Sequence, residues 1–122
     1  MNQVSVWGKN LSRARVVRVK AIGEKVLRVL KIENTSLEVF FLPDVDMKRL
    51  KNRFFPKGSG IANVLAFPGR GDFPHPERTK RGLGEIYINQ SFFAKGFGEV
   101  VFLLTHGILH LVGYNHEEKG DI

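Results

Sequence analysis

Apolar positions along this chain change period from two to about 3.6 and back, marking successive strands and helices. Val4–Trp7 reads as a short strand. Ser12 stands as a helix N-cap, and Val16, Val19, Ile22, Val26, Leu27 and Leu30 follow at helical spacing among Arg13, Arg18, Lys20, Lys25 and Arg28. That pattern predicts an amphipathic helix with a basic outer face. Leu37–Leu42 is rich in strand formers and ends at Pro43. Asp44–Arg53 suits a short helix, 56–60 a loop, Asn63–Phe67 a strand, and Gly84–Asn89 another strand. Ser91 opens a final segment interrupted by Gly96 and Gly98, after which the spacing predicts a helix over Glu99–Val112.

Elements in this order predict a single domain over residues 1–122 with an α+β fold, a mixed β-sheet packed with helices. At 122 residues one core is expected, and 43% hydrophobic residues are ample for it. The absence of cysteine excludes a disulfide framework and a thiolate metal site. The N-terminus has no continuous apolar run of signal type, and no stretch reaches membrane-spanning length, so a cytoplasmic location is expected. Residues 68–82 form the one long irregular stretch, with three prolines, three glycines, His75, Arg70, Arg78, Lys80 and Arg81.

The chemistry concentrates between His106 and His116, where three of the four histidines lie at H-x3-H-x5-H spacing in apolar surroundings. Residues four apart share a helix face, so His106 and His110 can aim at one point. Gly113 suits a helix C-terminus, after which His116 can swing back with a third imidazole. Three neutral imidazoles with one open position are the pattern of a catalytic zinc site, although other divalent transition metals also accept them. Zinc peptidases of the H-E-x-x-H kind carry a glutamate after the first histidine; here that position is Gly107, which argues against peptide hydrolysis.

Charge is divided unevenly. Residues 1–60 hold thirteen Lys or Arg against five Asp or Glu, a net +8, whereas residues 61–122 hold six against seven, a net −1. A field of this kind attracts a polyanion such as RNA, with affinity that falls steeply as salt rises.

The block His106-Gly107-x-Leu109-His110-Leu111-x-Gly113-Tyr114-Asn115-His116 resembles the signature H-G-x-L-H-L-x-G-Y-D-H of the YbeY family, with Asn115 for aspartate. Those proteins are bacterial metal-dependent endoribonucleases of ribosomal RNA maturation and ribosome quality control. Ala62–Pro68 is similar to the family strand T-[DN]-V-L-S-F-P, and Leu83–Ile88 to L-G-D-I-x-I. The resemblance implies a metal-binding helix near the C-terminus, in a metalloprotease-like arrangement, with zinc on His106, His110 and His116. It also implies cleavage of single-stranded RNA, at the 3′ end of small-subunit ribosomal RNA. Where the family places an active-site arginine this chain has Pro56, so Lys57 or Arg53 is expected to supply the cation. Asn115 stands where a ligand imidazole could be oriented or a helix end capped. Two alternatives stay open: a non-catalytic, ribosome-associated RNA-binding protein with a structural metal, and a metal-dependent hydrolase of another small phosphate ester.

Overall fold

The computed structural model describes residues 2–55, 63–69 and 81–118. In chain order the elements are β1 (Gln3–Gly8), α1 (Arg13–Val29), β2 (Thr35–Leu42), α2 (Asp44–Phe54), β3 (Val64–Pro68), β4 (Arg81–Asn89), a 3-10 turn (Gln90–Lys95) and α3 (Phe97–Glu118). The four strands make one mixed sheet in the order β1-β2-β4-β3. β1, β2 and β4 run parallel, and β3 lies antiparallel to β4 at the edge. The expected α+β architecture is therefore present.

Alternation along β2 decides how the sheet is used. Thr35, Leu37, Val39 and Phe41 are buried while the residues between them are half-buried. Leu37, Val39 and Phe41 join Ile86 and Ile88 of β4 and Val4 of β1 beneath α1 and α3 in one core cluster. α1 contributes Val19, Gly23 and Leu27, and α3 contributes Val100, Leu103, Leu104, Ile108 and Leu111 at spacings of three and four. α2 lies on the opposite face, where Met47 is fully buried and Phe54 meets Phe67 edge-on at 5.2 Å.

The helix ends follow local chemistry. Ser12 Oγ accepts the Arg15 N–H at 3.2 Å, the N-cap expected from the sequence. α1 ends in a Schellman arrangement: Ile32 N–H donates to the Leu27 carbonyl and Lys31 N–H to that of Arg28, with Lys31 in the left-handed region at φ 61°. At the start of α2, Asp44 Oδ1 accepts Asn89 Nδ2 at 2.6 Å, which ties that helix to the end of β4.

One element departs from expectation. α3 does not end at Gly113 but continues to Glu118. Among the described residues the positive-φ glycines are Gly84 and Gly96, so Gly113 is helical. A lone glycine costs a helix only about 1 kcal/mol relative to alanine, and the residues after it carry no proline to stop the helix.

Candidate active-site cleft

α3 buries its inner stripe against the sheet, and this leaves His106 and His110 exposed on the helix flank beside β3. Both line a cleft of about 280 Å³ at the β3 edge. Its other walls are Val64, Leu65 and Ala66 of β3 and, from across the sheet edge, Lys51 and Phe55 at the end of α2. The His106 ring also stacks on Phe102, one turn earlier, at 6.2 Å and 20°. The H-x3-H pair is thus brought to one concave site, with a cation and a half-exposed aromatic ring opposite.

Two glycines allow α3 to sit this close to the sheet. A Cβ at Gly107 would lie 3.0 Å from Ile86 Cγ2 and 3.1 Å from its Cδ1. The position after the first histidine therefore faces packed core, and a glutamate of the H-E-x-x-H kind would press on Ile86 there. At Gly84, φ is +150°, and a Cβ would collide with the Phe67 carbonyl oxygen and crowd Leu111 Cδ2 at 3.0 Å. This residue follows the register shift between β2 and β4, and it lets β3, β4 and α3 converge.

The third histidine is placed by its backbone alone. His116 lies within α3, and its side chain falls outside the description. On a continuous helix six residues advance about 9 Å along the axis and fall about 120° short of two whole turns, so the His116 Cα stands away from the line of His106 and His110. Among the described residues no group of three potential metal ligands assembles.

Of the two expected cations, Lys57 lies outside the described residues, as do His75, Arg70, Arg78 and Lys80 and the side chains of Arg81 and Asn115. Arg53 is exposed, with its guanidinium 5.6 Å from the Phe54 ring, and does not line the cleft. Lys51 takes the wall instead. The spacing carried that signal: Lys51 follows the buried Met47 by four residues and shares its helix face, whereas Arg53 is rotated well away.

Beyond the cleft an aromatic run continues over the α2 face of the sheet. Phe55 and Phe54 meet Phe67, Phe67 meets the Tyr87 ring edge-on at 5.7 Å, and Tyr87 stacks on Phe40 at 4.9 Å. Partial burial pushes the Tyr87 phenol up to about 12, reinforced by its 2.8 Å hydrogen bond to Glu85 and by the charges of Glu85 and Glu38.

Residues 9–122 match the family model of endoribonuclease YbeY. The chain belongs to that family. It is 31% identical to the endoribonuclease YbeY of Persephonella marina, over 98% of this chain and 82% of that protein. It is 30% identical to the YbeY of Aquifex aeolicus, over 89% of this chain and 75% of that protein. A solution structure from Thermotoga maritima is similar at TM-score 0.47 and 17% identity, covering 90% of this chain and 67% of that one. In this YbeY-family chain, His106 and His110 are the histidines that line the cleft among the described side chains.

Proposed function

We propose that this chain is a metal-dependent endoribonuclease that cuts single-stranded RNA, acting on the 3′ end of small-subunit ribosomal RNA and in ribosome quality control. The observation that carries the reading is the convergence of His106, His110, Lys51 and Phe55 on one cleft in a chain of the YbeY family. Two imidazoles four residues apart and open to a cavity suit a divalent transition ion, with zinc first, and His116 would join them as the third donor of the H-x3-H-x5-H block where the chain bends after Val112. When bound, the ion supplies Lewis acidity to a phosphodiester oxygen and a water of lowered pKa.

This chain's own residues supply binding and orientation. The Lys51 ammonium offers a positive charge to a scissile phosphate, as a point charge rather than a bidentate fork. Phe55, 47% exposed, gives a base a ring to stack on, which favours an unpaired strand whose bases can splay outward. Val64, Leu65 and Ala66 make the floor apolar and limit competing water. No carboxylate lines the cleft among the described residues, so none of the side chains described there is placed to take a proton from an attacking water.

That same lack of a carboxylate, together with Pro56 at the family's arginine position, favours a second reading: an RNA-binding protein whose metal is structural. Cleavage of a labelled RNA ending in the small-subunit 3′ region, by zinc-loaded wild type and by His110→Ala prepared in parallel, decides between them. The nuclease reading predicts cutting by the wild type alone. Zinc retention without cutting by either supports the second reading.

A further inference from the structure

The cleft is poorly placed to attract a polyanion by itself. Lys51 is the single Lys or Arg in its described lining, and the sheet face beside it carries Glu38 and Glu85. The positive charge of the chain gathers elsewhere. α1 alone holds six Lys or Arg against the single Glu24 within seventeen residues. Its outer face presents Arg18, Lys25 and Arg28, all exposed, around the small or short side chains Ala14, Val17 and Ala21. Such a lane, low in the middle and cationic at the margins, lets a phosphate backbone approach closely.

Two arginines on this side are already ordered. The Arg18 guanidinium sits 3.8 Å from the Phe97 ring centroid, and that of Arg15 sits 4.4 Å from Phe93. Lys95, on the adjoining 3-10 turn, has its ammonium 4.7 Å from Phe92. Cations held over rings lose less side-chain entropy when they meet a phosphate than freely rotating ones. Arg in particular keeps N–H groups free at its edge while its plane rests on an aromatic face.

Position separates this face from the cleft. α1 packs on β1 and α3, and the cleft opens at β3. β1 and β3 are the two edges of the sheet, three inter-strand steps or about 14 Å apart. One nucleotide cannot touch both places.

We infer that the outer face of α1 docks the phosphate backbone of RNA remote from the bond cut in the cleft, so that the preferred substrate is a folded RNA with a single-stranded tail rather than a short strand. The inference rests on the proposed RNA cleavage for the role of the tail, but the docking itself is a binding property and is measured without turnover.

The test is fluorescence anisotropy with zinc-loaded protein and two 2′-O-methylated, uncleavable probes. One is a hairpin of about thirty nucleotides with a tail of about six, and the other is the tail alone. In R18Q/K25Q/R28Q the hairpin-to-tail affinity ratio is expected to fall at least about tenfold near 0.1 M salt. The slope of log affinity against log salt for the hairpin should flatten by about two to three, close to one per lost phosphate contact. K25Q/R28Q spares the Arg18–Phe97 contact and should show about two-thirds of that slope change. The charge-preserving K25R/R28K should keep the wild-type ratio. Equal weakening of both probes would overturn the docking face and reduce α1 to a general field. Unchanged hairpin binding would also overturn it and leave the face to another partner, such as an acidic protein. Hairpin binding that responds as expected in a protein that never cuts RNA would sink the nuclease reading while leaving the docking face intact.

Discussion

Replacing Gly113 by alanine tests the course of α3 where it matters for the third histidine. Gly113 is exposed and helical, and a Cβ built there meets no atom within 4 Å. No packing term opposes the substitution, so the intrinsic preference decides: alanine favours a helix interior over glycine by about 0.5–1 kcal/mol. Gly113→Ala should therefore stabilise metal-free protein by up to about 1 kcal/mol, or about 3–5 °C in Tm for a chain of this size. Urea unfolding in the presence of chelator measures it, and an unchanged slope with a raised midpoint would mark a true stability gain. If the helix instead ended at Gly113 with that residue in the left-handed region, alanine would cost about 1 kcal/mol or more. A lowered midpoint would thus refute the continuous helix and restore the geometry in which His116 turns back. Zinc affinity supplies the companion readout. If metal binding bends the chain after Val112, alanine at 113 should weaken zinc binding while strengthening the apo fold.

Gly107→Ala, the same substitution six residues earlier, should act in the opposite direction. The new methyl would press on Ile86, which is fully buried, and an overpacking cost of about 1–3 kcal/mol exceeds the helix-propensity gain of about 1; a midpoint at or above wild type would show that β4 yields. Lys51→Gln should weaken binding of a short single strand and reduce its salt slope by about one, whereas Arg53→Gln should leave both near wild type; titrations at several salt concentrations distinguish them. Tyr87 keeps its proton to about pH 12 in the fold against about 10 when unfolded. Its contribution is complete below pH 10 and is lost as pH rises from 10 through 12, so Tyr87→Phe should flatten the alkaline fall in stability. An identical fall in both proteins, followed by unfolding across that range, would assign it to other groups.

Much of this architecture was legible in local patterns. β2 is strict alternation of strand formers, and α1 combines a capping serine with apolar residues at helical spacing, so each segment states its own structure. The H-x3-H pair was legible for the same reason, since a shared helix face requires only the helix. Features that depend on distant partners were not. Nothing local tells Gly84 that Phe67 and Leu111 will close around it, nor that β3 will take the edge beside β4. Gly113 does not end the helix, because glycine does so only where the chain needs positive φ, and here it does not. Lys51 is not marked by nearness to Pro56 in sequence, only by the helix face it shares with Met47.

We propose that the histidine block holds a metal needed for RNA cleavage. The most direct test is to measure bound zinc and RNA cleavage together, across a zinc titration, for wild type and for His106→Ala, His110→Ala and His116→Ala. A histidine-bound catalytic metal predicts a single equivalent of zinc in the wild type, cleavage that rises in proportion to occupancy, and loss of both in each variant. Full zinc content and undiminished cleavage in His110→Ala would contradict it.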